Sequence, residues 1–168
     1  MTTKNDYTPE EWKTLLVAPY FTAMLIVVAD PNLGFVSELA ALVQSVALSV
    51  TQSKNELIRA VAAELNQRET QERIKPELQQ MQGQKDPLVL QQALLDGAVS
   101  AADLVSGRSS EDGQAYRQWL LYLAGQTAQG SKEGSFLGIG GVRVSGKEKA
   151  MLAELSRALN VETPPASE

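Results

Sequence analysis

The sequence predicts an all-α fold, a compact bundle of about six to eight helices in two layers with a Gly-rich loop before the last helix. Three observations predict it. Apolar residues recur three and four apart along most of the chain, the spacing of one helix face. Several of those segments open on helix-start sequences, such as Thr8-Pro9-Glu10-Glu11 and Ser145-Gly146-Lys147-Glu148. Strand-like alternation is nearly absent.

The elements follow in order. Residues 1–7 are polar and read as a flexible N-terminus. Thr8 to Glu11 form a capping box with Pro at the first helical position, and Trp12, Leu15 and Leu16 follow at helical spacing. Pro19 lacks a backbone N–H and is expected to kink or break that helix. A second helix over about Tyr20–Ala29 is apolar nearly all round, which puts it at the centre of the bundle. Asp30-Pro31-Asn32-Leu33-Gly34 is a turn by composition. A third helix over about Phe35–Val50 carries Leu39, Leu42, Val43, Val46 and Val50 three or four apart. Ser53-Lys54-Asn55-Glu56 reads as another capping box, opening a helix with Leu57, Ile58, Val61 and Leu65 on one face.

Gln67–Lys85 is rich in Gln, Glu, Lys and Arg, and reads as a solvated helical extension broken at Pro76, with a short piece ending near Gly83. Asp86-Pro87 restarts a helix that runs to about Val105, with Gly97 weakening its middle. After the connector Gly107–Ser109, Ser109 or Ser110 caps a helix through Tyr116, Trp119, Leu120, Tyr122 and Leu123 that ends near Gln129-Gly130. Gly130–Gly141 holds five glycines in twelve residues and reads as a loop pinned by Phe136, Leu137 and Ile139. Val142–Val144 is expected to be briefly extended. Ser145 then opens a last helix bearing Met151, Leu152, Leu155 and Leu159. The tail 162–168, with Pro164-Pro165, is expected to be disordered, which leaves a single helical domain over 1–161.

Composition narrows the chemistry. At 168 residues, 43% hydrophobic and 21% charged, the chain can bury one ordinary core. Its net charge of -5, with no dense Lys/Arg cluster, predicts no nucleic-acid partner. There is no Cys and no His. Disulfides, thiol catalysis, the usual neutral-pH general base and the common zinc sites are therefore excluded, while oxygen ligation of Ca²⁺ or Mg²⁺ survives. Met1–Glu11 shows no leader pattern, so a cytoplasmic protein is expected. The most apolar stretch, Leu15–Ala29, is about fifteen residues and contains Pro19, so no stable membrane insertion is expected.

Four constellations have both a functional reading and a plain structural one. Gly141–Glu148 nearly matches the phosphate-loop pattern, but Glu148 stands where a Ser or Thr hydroxyl would hold Mg²⁺. A helix start after a loop explains it better, leaving Arg143, Gly146 and Lys147 as candidates for a loosely held anion. Asp30-x-Asn32-x-Gly34 resembles the start of a calcium loop, and Asp30, Asn32 and Glu38 are the metal candidates. The twelfth position is Ala41 instead of the required Glu, so a helix–turn–helix connection is favoured. Asp96 and Asp103 share one face of a helix with Glu111 and Asp112 nearby, but a carboxylate-bridged metal pair usually adds His. The aromatic residues are core first, with a partner-helix groove as the functional alternative.

Ser131–Leu159, reading SKEGSFLGIGGVRVSGKEKAMLAELSRAL, resembles the C-terminal signature of an uncharacterised family of small bacterial all-helical proteins. EEWKTLLVAPYFTAMLIVVADPN is similar to that family's opening helices. This resemblance implies a helical fold and a bacterial origin, and no activity. A fainter similarity is to tellurite-resistance TerB-like helical domains, whose helix starts read roughly Asp-Gly-x-Val-Ser followed by Glu. Asp30 through Val36-Ser37-Glu38 and Gly141–Ser145 with Glu148 look like two such starts, the second having Gly140 where the Asp would stand.

The leading expectation is a non-enzymatic cytoplasmic protein, without cofactor, that binds a protein partner or itself, with a homodimer through the first helices as a natural form. The alternative is a TerB-like stress-response protein that binds a small ligand or Ca²⁺/Mg²⁺ through Asp30 and the Gly130–Gly141 loop.

Overall fold

A computed structural model describes residues 1–31, 35–130 and 144–161, with backbone alone for 35–37. These residues form seven α-helices and no strand: α1 Pro9–Ala29, α2 Phe35–Gln52, α3 Glu56–Leu65, α4 Arg68–Gln82, α5 Pro87–Ser106, α6 Ser110–Gly130 and α7 Gly146–Ala158. Most helices start where a side chain can accept an orphan backbone N–H. Thr8 takes the N–H of Glu11, Asp86 those of Leu88 and Val89, Ser109 that of Asp112, and Ser145 that of Glu148.

α1 packs against all six other helices. That is the central position expected for its second half, but the break expected at Pro19 is absent, and one helix runs through it. Proline at position 19 leaves the carbonyl of Leu15 without its i+4 donor. The Tyr116 hydroxyl of α6 donates to that carbonyl at 2.7 Å, with both residues fully buried. The main reason to break the helix is thereby removed. Close approach matters on the neighbouring side. Gly97 of α5 faces Phe21, whose ring carbons lie 2.7 Å from where a Cβ would stand, so this glycine is the gap that admits the ring.

Three further expectations are corrected. Ser53 does not cap α3; the helix starts later, with Asn55 Oδ1 accepting the Ile58 N–H at 3.1 Å. The Asn55 amide nitrogen donates to Asp112 Oδ1 at 2.8 Å, so both ends of one side chain are used. The polar helix does not break at Pro76. α4 is continuous, and the chain turns at Asn66-Gln67 instead. Pro76 and Glu72, whose carbonyl it deprives, are exposed residues, so water can replace the lost donor. Residues 1–7 pack against the bundle. Thr2 and Tyr7 are buried, and the Thr2 backbone N–H and hydroxyl both donate to Asp112 Oδ2. Arg108 stacks on the Tyr7 ring at 4.6 Å. The glycine-rich loop and the tail 162–168 lie outside the described residues.

Candidate functional site

The end of α1 packs near α2 and α7, and three carboxylates there, Asp30, Glu38 and Glu148, lie near enough for the charges of two to act on the third. Asp30 is the C-cap of α1 and half-buried, while Glu38 lies in the first turn of α2 with 1% of its surface exposed. Glu148 is the third residue of α7 and is also 1% exposed. The capping box aims it inward: its Oε2 accepts the Ser145 N–H at 2.6 Å while its own N–H donates to Ser145 Oγ at 3.1 Å. Oε1 of Glu148 and Oε1 of Glu38 are buried without a hydrogen-bond partner. Burial pushes the Glu38 carboxyl above the ordinary range, and the charges of Glu148 and Asp30 push it the same way. Lys147 Nζ stands 3.9 Å from Asp30 Oδ1, but this lysine is mostly exposed, so solvent weakens the pair.

The metal candidates Asp30 and Glu38 and the anion candidates Gly146 and Lys147 thus occupy one neighbourhood; Asn32 and Arg143 lie outside the described residues. Among the described residues its charge suits a cation, since a phosphate at the start of α7 would have Lys147 and the helix start in its favour but would approach the carboxylates of Glu38, Glu148 and Asp30. Glu148 was missed as a site residue by sequence reasoning. The signal was present: a capping-box glutamate commits one oxygen to the backbone and leaves the second for something else. Among the described residues no three acidic side chains stand close enough to hold an ion by themselves. A metal here would take two carboxylates and complete its shell from backbone carbonyls or water.

Asp96, Asp103, Asp112 and Glu64 are occupied elsewhere. Asp96 accepts from Gln92 at 2.8 Å and Asp103 pairs with Arg117, so the two do not form a joint site. Burial alone would raise the Asp112 carboxyl, but hydrogen bonds from Thr2 and Asn55 outweigh it and hold the group low. Glu64 is likewise held low against burial by Lys4, Arg73 and Trp12. Both tie elements of the bundle together.

A second feature lies along α2. Its inner face, with Leu42, Ser45, Val46 and Ser49, is buried, and its neighbours are chiefly α6 and α3. Leu39, Ala40, Val43, Gln44, Ala47 and Leu48 are exposed. The sole charged residue of Phe35–Gln52 is the buried Glu38, so the outward face carries no charge. At its C-terminal end an open groove of about 480 Å³ runs between α2, the start of α3 and α6, beside Trp119 and Tyr122. The Trp119 indole N–H is already used, donating to Ser49 Oγ at 2.8 Å. Of the remaining aromatics, Trp12, Phe21 and Tyr116 are core, and Phe136 lies outside the described residues.

α1 and α5 are long and apolar enough to cross a bilayer, and a helix buried at the centre of a bundle, where α1 lies, has the same length and composition. Comparison with family models, with curated proteins and with solved structures found no match to this chain.

Proposed function

We propose that this chain is a non-enzymatic helical protein that binds a hard divalent cation, Ca²⁺ or Mg²⁺, between Glu38 and Glu148. The observation that carries the reading is the pair of buried Oε1 atoms without a hydrogen-bond partner. A buried carboxylate oxygen with no donor is costly, and a second carboxylate nearby raises the cost. A divalent cation cancels both terms, and an all-oxygen site with neither sulfur nor imidazole favours Ca²⁺ or Mg²⁺ over zinc or copper. Asp30 adds negative charge at the edge, where it also draws Lys147. The absence of His and Cys from the sequence supports binding over catalysis. The reading agrees with the TerB-like alternative, a cytoplasmic stress-response role with no nucleic-acid partner.

Titration calorimetry and thermal melting of EDTA-stripped protein test it. With free ion at a hundred times Kd, stability should rise by about 2.7 kcal/mol. For a chain of this size that moves Tm by about 5–10 °C. Glu38→Gln and Glu148→Gln, which keep shape and in the second case the cap, should abolish the heat and the shift. A wild-type protein that gives neither with millimolar Ca²⁺ or Mg²⁺ refutes the reading.

A protein partner or self-association, the leading expectation from sequence, is favoured by a different observation, the uncharged outward face of α2.

A further inference from the structure

We propose that the groove between α2, α6 and the start of α3 binds a small aromatic carboxylic acid, its ring on Trp119 and its carboxylate beside Lys54. The groove measures about 480 Å³, within the roughly 300–1,000 Å³ of small-molecule sites. Its lining divides by depth. Ile58 and Trp119 are buried and make the floor, while Leu48 and Tyr122 keep 40% and 46% of their surface in solvent and make the walls. The polar atoms at the floor are already used. The Trp119 indole N–H donates to Ser49 Oγ, and that hydroxyl donates to the Ser45 carbonyl at 2.7 Å. Asn55 uses both ends of its amide, on Ile58 and on Asp112. What the floor still offers is ring and methyl surface, which a second aromatic ring covers well, offset-stacked or edge-on to the indole.

Charge selects the other half of the ligand. Lys54 is the sole charged residue lining the groove, and its ammonium has no hydrogen-bond or ion-pair partner among the described residues. Glu56, nearby in the chain, pairs with Arg59 at 3.5 Å. Asp112, bonded to Asn55, is fully buried and also takes two bonds from Thr2. The negative end of α2 and the positive end of α3 both border the groove, so their dipoles oppose each other and the lysine sets the sign. Gln52, Gln118 and Tyr122 add amide and phenol donors that have no partner among the described residues and suit the oxygens of a carboxylate. An apolar ring joined to one negative charge meets all of these features. A neutral ring leaves Lys54 without a counter-charge, and an amine meets a like charge.

The chain has two tryptophans, so a proton–nitrogen correlation spectrum of labelled protein shows two indole N–H signals and reads the groove directly. The probes share one ring system and differ in charge: naphthoate, naphthamide and naphthylmethylamine at neutral pH. Naphthoate should move the Trp119 signal and leave that of Trp12 in place. Affinity should fall from acid to amide to amine. Lys54→Gln should weaken the acid about two- to fivefold, the strength of an exposed ion pair, and leave the amide unchanged. Tyr122→Ala, which removes a wall, should weaken acid and amide together. The groove shares no residue with the cation site, so the titration is run in EDTA and either reading can fail alone. The proposal is overturned if millimolar naphthoate leaves the Trp119 signal still, if the amide or the amine binds as tightly as the acid, or if Lys54→Gln affects acid and amide alike. A Trp119 signal that moves with protein concentration in the absence of ligand gives the groove to a second copy and overturns it as well. The charge series uses the wild-type chain, so it decides the matter without any variant.

Discussion

Tyr116→Phe isolates the device that carries α1 through Pro19. The hydroxyl donates to the Leu15 carbonyl at 2.7 Å in a fully buried position, where burial also keeps the phenol protonated far above neutral pH. Removing it strands that carbonyl, because Pro19 offers no N–H. Leaving a buried acceptor without a donor costs about 1–3 kcal/mol. The variant also sheds a hydroxyl that no longer needs desolvating, which places the expected loss near the middle, at about 2 kcal/mol. For a domain of this size the fall in Tm is about 4–8 °C. Urea unfolding followed by circular dichroism measures it. The sharper test is the second arm of a cycle. Pro19→Ala restores the backbone donor, so Tyr116→Phe in that background should cost about 1 kcal/mol less than in the wild type, a coupling within the usual range for groups in direct contact. Pro19→Ala taken singly is uninformative, since it mixes a regained helix bond with a lost buried ring and a looser unfolded chain. The coupling is free of those terms. If the two substitutions add to within about 0.5 kcal/mol, the hydroxyl does not stand in for the missing amide and the reasoning fails.

Other outcomes follow from single contacts. Gly97→Ala should destabilise by about 1–3 kcal/mol despite its better helix propensity, because the new methyl meets the Phe21 ring at 2.7 Å; Phe21→Leu should recover part of the loss in thermal melts. Gly113→Ala should be worse, since its Cβ would meet backbone, the Ser106 Cα at 2.6 Å, and backbone cannot swing aside. Asn55→Ala should cost about 2 kcal/mol in urea unfolding, removing the α3 cap and also baring one oxygen of buried Asp112. For Glu38, a folded pKa raised above its ordinary 4.5 means the native state binds the proton more tightly than the unfolded chain. Its contribution is fully present below that unfolded value and is lost as pH rises through the folded one. Metal-free protein should therefore gain stability from this group as pH falls from neutral toward 4.5, and Glu38→Gln should remove the gain and be the more stable form at pH 7. Asp112 and Glu64, held low, act oppositely, losing stability only as pH falls below their ordinary values of 3.8 and 4.5, so the wild-type-minus-variant difference is the quantity to follow.

Local chemistry was legible in the sequence, and long-range chemistry was not. Thr8, Asp86, Ser109 and Ser145 mark helix starts because a cap acts within three residues of itself. Pro19 misleads because its remedy, Tyr116, lies in another helix, and no window around residue 19 contains it. Ser53 misleads because Asn55 gains a second partner in Asp112, which tips the choice between two adjacent caps. The polar start looks loose for the same reason, its anchor being that same carboxylate far along the chain. At the proposed site, Asp30 and Glu38 are visible in the sequence as candidate oxygen ligands, but a calcium-loop template looks for the remaining candidate nearby, whereas Glu148 comes from α7.

The chain supplies its own control for the meaning of that last residue. Glu11 and Glu148 occupy the same place in the same capping motif, each holding the backbone N–H of its cap residue. Glu11 sits half-buried and gives its other oxygen to Arg108 at 2.7 Å. Glu148 is buried more deeply, where a bare oxygen costs more, yet its other oxygen has no donor. The motif therefore does not itself demand an unpartnered carboxylate oxygen, and cap stability would be equally served by a neutral glutamine. A buried oxygen without a donor there, near the equally bare one of Glu38, opposes folding in the absence of a cation. The comparison of Glu11→Gln with Glu148→Gln turns this into a measurement: the first should lose stability with its arginine pair, and the second should gain it in EDTA and lose that advantage in Ca²⁺. Equal losses for both variants in EDTA would mean that Glu148 is only a cap.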